Sequence, residues 1–286
     1  MKFLVSICIP TYNGVPFLQE ALDSINQQTY RNIEVIISDD ASNDQTLEIV
    51  QDFKAKAIFP VYIYHHKPKG IGANWNNCIK KANGKYIKFL FQDDVLLPNC
   101  IEEQIKVFKN YKNIGLVSSK REFIIEKNVS TEILQWADLF KDLQVNLKFQ
   151  DNIISFLKND FLKSEEFQRY PYNKIGEPSV VLFPKSIVEK IGYFREDMVQ
   201  ILDYEFYYRI LRFKKIAIIN KPLVKFRLHK QQTTNLNRNK LIHDDKLFDK
   251  VLYDKFFFYL NKKEKKRLLK LFRPRLYKIL KKINFY

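Results

Sequence analysis

Apolar positions in the first hundred residues follow two alternating patterns. Short, mostly apolar runs alternate with segments whose apolar residues recur at helical spacing. The first run, Lys2 to Ile9, predicts a strand, and the loop Thr11-Tyr12-Asn13-Gly14 follows it. Phe17, Leu18, Ala21, Leu22 and Ile25 then mark one face of a helix. Ile33 to Ile37 predicts a second strand with Asp39-Asp40-Ala41-Ser42 at its end, and residues 45–54 predict the next helix. Val61 to Tyr64 predicts a third strand, residues 73–82 a helix, and Tyr86 to Phe91 a fourth strand ending at Gln92-Asp93-Asp94. Pro98 opens the following helix, where its missing N–H is tolerated. This alternation predicts an α/β fold with a mostly parallel central sheet flanked by helices.

The second half is less regular. Residues 120–175 mix apolar and polar positions in the manner of variable loops. Asp203 to Phe213 predicts a helix with Phe206, Ile210 and Phe213 near one face, and Lys215 to Asn220 and Leu223 to Arg227 predict two short strands. From Leu241 onward the pattern is helical and increasingly basic, and no internal repeat is present.

Each polar cluster of the first half follows a strand. Open α/β sheets bind ligands beyond the carboxyl ends of their strands, which nominates Thr11 to Asn13, Asp39-Asp40 and Asp93-Asp94 as walls of one site. The chain has no G-x-G-x-x-G and no P-loop lysine, which counts against ordinary dinucleotide or ATP chemistry.

Composition narrows the class. A chain of 286 residues that is 46% hydrophobic and 28% charged can bury a substantial core. Cys8, Cys78 and Cys100 are widely spaced and form no C-x-x-C pair, which argues against a disulfide framework or structural zinc and favours a reducing compartment. The apolar start is short and stops at Pro10-Thr11 without a cleavage signature, so it reads as a buried strand. No apolar stretch approaches the roughly 20 residues of a membrane-spanning helix. The expectation is a cytoplasmic protein, peripheral on the inner face of the plasma membrane. Net charge is +17, and eight Lys and three Arg against one Glu between Lys262 and Ile283 contribute +10 of it. A basic run of that density points to an anionic partner, membrane or nucleic acid.

Adjacent carboxylates at a strand end repel each other unless a cation compensates. For Asp93-Asp94 a divalent metal bridging a diphosphate is one reading, and hard oxygen ligands suit Mg or Mn. The other is a turn that caps the helix near Pro98. Asp39-Asp40 invites the same pair of readings, and alone it reads as a turn.

Taken in order, the motifs resemble those of the family 2 glycosyltransferases, which have the GT-A fold. The resemblance begins with Ile9-Pro10-Thr11-Tyr12-Asn13, Gln27-Gln28-Thr29-Tyr30 and Glu34 to Ser42. It continues through Gly72-Ala73-Asn74-Trp75-Asn76, Ala82 to Ile87 and Gln92-Asp93-Asp94. Gly176-Glu177-Pro178, Asp203-Tyr204-Glu205-Phe206 and Phe226-Arg227-Leu228-His229 complete it, before Gln232-Thr233. The resemblance implies a GT-A domain over residues 1–235, with a nucleotide-sugar-binding half at 1–119 and an acceptor-side half at 120–235. Residues 236–286 then form a basic amphipathic helical tail.

Carried over by position, the resemblance implies that Pro10, Thr11, Tyr12 and Asn76 line the nucleotide-sugar pocket and that Asp40 binds the base, typically uracil. Asp93 would approach the ribose or diphosphate, Asp94 would hold the metal, and His229 would be its second ligand. Without the resemblance, His229 reads as a surface histidine after a strand. Asp203 matches the catalytic base, which by its residue type also reads as a helix cap. Glu205 is the fallback base, although a spacing of two turns it away from Asp203 on a helix. Glu177 would contact the acceptor sugar. Two departures stand out: Gln92 replaces the first carboxylate of the usual Asp-x-Asp, and Leu202 replaces an acidic residue before the base. The pair His65-His66 matches nothing catalytic.

The expected reaction is a metal-dependent, inverting transfer of a hexose from a nucleotide sugar, UDP-linked, to a glycan or lipid-linked saccharide in surface-polysaccharide synthesis. Within the tail, Leu268, Leu269, Leu271, Phe272, Leu276, Ile279, Leu280 and Ile283 alternate with basic residues. That pattern suits an anionic membrane surface, or else a helix packed on the catalytic domain with its lysines solvated. Two rivals remain at this point. A nucleotidyltransferase would want a Gly-rich, Lys/Arg-containing loop after the first strand, which is missing. A basic nucleic-acid-binding protein would not depend on Asp93 or Asp94; no nucleic-acid partner is expected.

Overall fold

The computed structural model describes residues 3–237 and 242–282. Lys2, Leu241 and Ile283, where the sequence reading begins or ends an element, lie outside them. The chain opens with β1 (Val5–Thr11), α1 (Leu18–Asn26), β2 (Ile33–Asp39), α2 (Thr46–Lys56), β3 (Val61–His65), α3 (Ile71–Lys81) and β4 (Tyr86–Phe89). It continues through β5 (Val95–Leu96), α4 (Cys100–Asn110), β6 (Ile114–Ile125), α5 (Thr131–Leu139) and β7 (Ile154–Leu157). Next come α6 (Glu165–Gln168), β8 (Leu182–Pro184), α7 (Ile187–Ile191), α8 (Leu202–Ile210) and β9 (Lys215–Leu228). Four helices close the chain: α9 (Thr233–Asn237), α10 (Asp244–Val251), α11 (Lys262–Phe272) and α12 (Pro274–Lys282).

One nine-stranded sheet runs β3-β2-β1-β4-β8-β6-β9-β5, with β7 paired to β9. β1 to β4 are parallel, as are β6 and β9. β8 separates these two groups and runs antiparallel to both neighbours, so the two groups point the same way. Helices cover the parallel part on both faces, which is why all seven residues of β2 are buried. Register aligns Thr11 with Asp39 and Asp39 with His65, so the first three strands end level at one edge. Glu34, buried within β2, accepts hydrogen bonds from Ser6 Oγ, the Asn83 N–H and the Gly84 N–H, and pins the turn before β4.

The two short strands expected at 215–227 are one long strand. Pairing with β6 shifts register where Ser119 faces Ile219 and Lys120 faces Pro222. Proline cannot donate to a ladder, so the strand bulges there and resumes. The inner half of β9 pairs with β7 and its outer half with β5. That outer half carries Arg227 and Leu228 past the end of β4. The helix expected to reach Phe213 stops at Ile210.

The C-terminal segment divides at residue 274. Val251, Leu252, Phe256, Leu260 and Leu268 are buried in the same core as β1 and β4. α10, the π-helical turn at Leu252–Phe256 and α11 therefore belong to the body of the fold. α12 buries none of its residues. Periodicity alone could not separate these pieces, because a helix facing a protein and a helix facing a membrane share one apolar stripe. Leu268→Ala should cost about 2–5 kcal/mol in urea unfolding, the price of a core cavity. Ile279→Ala, on exposed α12, should stay within ~0.5 kcal/mol of the parent.

Candidate active site

The level strand ends border a cleft of about 950 Å³. Asp39 is fully buried beneath it and accepts Thr11 Oγ1 at 2.9 Å, Ser42 Oγ at 2.6 Å and the Ser42 N–H at 2.9 Å. Its carboxylate is consumed by the turn. The next residue, Asp40, faces the cleft instead, and its Oδ1 lies 2.7 Å from His66 Nδ1. Gln92 clamps Tyr12 on both sides, accepting its N–H at 2.9 Å and donating to its carbonyl at 3.0 Å. A Cβ on Gly14 would lie 2.6 Å from Gln92 Oε1, so only glycine leaves that clamp intact.

Asp93 and Asp94 diverge. Asp93 lines the cleft, with its Oδ2 at 3.0 Å from His229 Nε2. Asp94 is fully buried and accepts the Arg227 N–H at 3.1 Å. Burial pushes the Asp94 carboxyl well above the usual carboxylate range and the Asp93 charge adds to this, while the Ser179 hydroxyl and the Arg227 N–H offset part of it. The Arg227 guanidinium donates to the Asp93 carbonyl at 2.9 Å, pairs with Glu20 and Glu126, and sits over the Phe17 ring at 4.8 Å. The Phe17 ring packs against His229 at 4.6 Å.

Asp203 faces the cleft from α8. It is the second residue of that helix rather than its cap, which is Ile201. Asn173 Nδ2 donates to its Oδ2 at 3.2 Å. Burial raises its pKa to about 7, and the Glu177 charge adds to the shift, while the Tyr204 N–H opposes it. The chain entering α8 is held from below by Asp244, whose Oδ2 accepts the N–H groups of Val199, Gln200 and Ile201 at 2.9, 2.7 and 3.1 Å. Residues at the N-terminal ends of α1, α3 and α8 all line the cleft. The partial positive charge at helix N-termini suits an anion there.

Of the residues named from sequence, Pro10, Thr11, Tyr12, Asp40, Asp93, Glu177, Asp203 and His229 share this cleft. Asn76, Asp94 and Glu205 are absent from its lining. Asn76 anchors the loop before α8, exchanging hydrogen bonds with the Phe194 backbone and donating to Glu196. Glu205 is buried against Arg209 at 3.0 Å, on the opposite side of α8 from Asp203. Neither is free to meet a ligand. Glu177 is paired with Arg121 at 2.7 Å.

Sequence reasoning missed Asn74, His66 and Asn173. Asn74 lines the cleft two residues before Asn76, and its Oδ1 is buried with no hydrogen-bond partner among the described residues. Residues two apart on a helix face different ways, so the motif containing both asparagines did not say which one points inward. His66 meets Asp40 only because β2 and β3 end level. Asn173 left no local signal at all. Among the described residues, no group of three or more His, Cys, Asp or Glu could hold a metal ion.

The model of Glycosyl transferase family 2 matches residues 6–192. The chain is a family 2 glycosyltransferase. An uncharacterized glycosyltransferase of Rickettsia prowazekii (strain Madrid E) is 31% identical over 239 residues, covering 83% of this chain and 68% of that protein. Another, from Methanocaldococcus jannaschii, is 29% identical over 232 residues, covering 79% of this chain and 71% of its own. Against a longer uncharacterized glycosyltransferase of Rickettsia felis, the chain spans 39% of that protein at 27% identity. S. aureus TarS 1-349, solved in complex with UDP-GlcNAc, superposes with a TM-score of 0.68 at 18% identity, covering 95% of this chain and 71% of that one. The mannosyltransferase PcManGT from Pyrobaculum calidifontis, solved with GDP-Man and Mn2+, gives 0.59 at 16% identity, covering 83% and 60%. At such identities the likeness concerns the fold, which is GT-A. Two cleft residues of this glycosyltransferase, Asp203 and His229, lie beyond the matched span.

The buried carboxyl of Asp203 sets two pH dependences. In the role of base proposed below, Asp203 takes up a proton only once it is ionised, so kcat/KM for transfer should rise with pH and level off above about 7. Its folded pKa lies above the unfolded value of 3.8, so its contribution to stability is present at low pH and lost as pH rises towards about 7. Asp203→Asn should lower transfer by roughly 10²–10⁴-fold. The same variant should unfold at higher denaturant than the parent above that pH, and chemical denaturation at two pH values checks this.

Proposed function

We propose that this glycosyltransferase moves a hexose from a UDP-linked sugar to a saccharide or lipid-linked saccharide acceptor, with inversion at the anomeric carbon. The observation that carries the reading is Asp203. A buried carboxyl with a pKa of about 7 shares one cleft with Asp40 and with the Asp93–His229 pair. In this reading Asp40, held by His66, receives the base. The helix N-termini around the cleft receive the diphosphate. The TarS complex with UDP-GlcNAc and the mannosyltransferase complex with GDP-Man and Mn2+ support a nucleotide-sugar donor in a fold of this kind. The loop after β1 is not Gly-rich and has no Lys or Arg, which disfavours nucleotidyl transfer.

The transfer is a single displacement. Asp203 takes the proton of the acceptor hydroxyl as that oxygen bonds to the anomeric carbon. The bond from that carbon to the diphosphate oxygen breaks, and the diphosphate leaves carrying the electron pair. The N-termini of α1, α3 and α8 favour the charge that develops on it.

Asp93 Oδ2 and His229 Nε2 fit a divalent metal such as Mn, being oxygen and nitrogen donors 3.0 Å apart on the cleft wall. Two protein ligands leave room for diphosphate oxygens and water. When bound, the metal would supply further charge for the leaving diphosphate. Asp94 serves differently: it fixes the backbone of Arg227 and so sets the approach of His229 to Asp93.

Isothermal titration with UDP and with GDP, each with and without Mn2+, tests the reading. UDP should bind more tightly with Mn2+, and Asp93→Ala should lose at least ~10-fold of that affinity. Asp94→Asn should keep the metal dependence if it stays folded. Metal-dependent binding retained in Asp93→Ala and lost in folded Asp94→Asn would return the metal to Asp94, and no nucleotide binding at all would sink the donor site.

No helix among the described residues is long and apolar enough to cross a membrane. For α12 the proposal is contact with an anionic surface at the inner face of a membrane. Leu276 and Ile279 are exposed on it beside Arg275, Lys278, Lys281 and Lys282. Each basic residue near such a surface contributes about 1 kcal/mol. Deleting residues 274–286 should lower partition onto phosphatidylserine vesicles, and unchanged sedimentation would discard this surface role.

A further inference from the structure

A run of aromatic rings borders the cleft on the side of Asp203. Phe226 lines the cleft, with Trp136 of α5 at 6.4 Å between ring centroids. Trp136 stacks on Phe140 at 4.7 Å, Phe140 meets Tyr170 at 5.1 Å, and Tyr170 meets Tyr172 edge-on at 5.7 Å. Tyr170 and Tyr172 are 50% and 52% exposed, too open to serve as core.

The run is tied to the cleft at its outer end and at its middle ring. Tyr172 is followed by Asn173, which donates to Asp203, and its carbonyl accepts the Tyr208 hydroxyl of α8 at 2.6 Å. The Phe140 carbonyl accepts Arg121 Nη2 at 2.9 Å, and Arg121 is paired with cleft-lining Glu177. Two exposed tyrosines that continue a half-buried aromatic run, with a carboxylate–guanidinium pair beside it, match one ligand chemistry well. Sugar rings present apolar C–H faces to aromatic faces, while their hydroxyls reach charged groups. A lipid tail would want a continuous apolar groove without phenolic hydroxyls along its rim.

We propose that these rings form an acceptor track that holds an oligosaccharide, with Tyr170 and Tyr172 carrying sugar units beyond the one whose hydroxyl meets Asp203. The acceptor class is therefore an extended glycan rather than a single sugar or a bare lipid phosphate. This rests on the reading of Asp203 as the base.

The test uses the full chain saturated with UDP and applied to an immobilised panel of neutral and acidic oligosaccharides, with their constituent monosaccharides alongside. The parent should retain at least one oligosaccharide and no monosaccharide. Tyr170→Ala and Tyr172→Ala should each weaken that retention by about tenfold or more, the loss of one stacking contact. Tyr172→Phe, which keeps the ring, should restore it. Affinity for UDP, titrated on the same samples, should be unchanged in every variant; this separates failure of the track from failure of the donor site. Retention of no oligosaccharide by the parent, or retention by both alanine variants equal to the parent's, would overturn the proposal.

Discussion

The cleft wall that carries Asp93 and His229 depends on Arg227. Its side chain is nearly fully buried and joins four parts of the chain, reaching Glu20 on α1, the Asp93 carbonyl before β5, Glu126 after β6 and the ring of Phe17. Its backbone N–H simultaneously holds Asp94. A guanidinium suits this position because its planar fork satisfies several acceptors at fixed angles. Removing the guanidinium would leave the Asp93 carbonyl, Glu20 and Glu126 without the group that ties them together. Asp93 and His229 each lie two residues or fewer from groups that Arg227 organises.

Asp94 is the cost of that arrangement. A fully buried carboxyl beside another carboxylate needs help, and Lys88, buried within β4, supplies positive charge nearby while donating to the Ser179 carbonyl at 2.6 Å. Burial also pulls the Lys88 pKa down, so the two groups moderate each other. Ser179 in turn accepts the Phe91 N–H at 3.0 Å. The strand end that presents Asp93 therefore rests on a polar network inside the sheet. Such a network confers rigidity only when its members are satisfied.

The cleft wall that carries Asp203 is organised from a different direction. Asp244, after the strand region, binds three successive N–H groups before α8 and so fixes where Asp203 emerges. Gly72 packs α3 against this same region, since a Cβ there would lie 2.6 Å from the Arg195 carbonyl. α10 is thus part of the framework of the cleft.

Sequence alone determined the parallel half of the sheet and the polar clusters that follow its strands. Those features are written in local apolar runs and turn residues, which act over a few positions. It also placed Asp40, Asp93, Asp203 and His229 in one ordered set. Tertiary structure decided which members of each pair face the ligand. Asp39 against Asp40, Asp93 against Asp94, and Asn74 against Asn76 are chemically equal in sequence, and the choice depends on partners 26 to 136 residues away in the chain. It likewise decided that Pro222 bends one strand instead of separating two, and that Leu268 faces protein while Ile279 does not. An apolar stripe records that a face wants burial, and only the packed fold says against what.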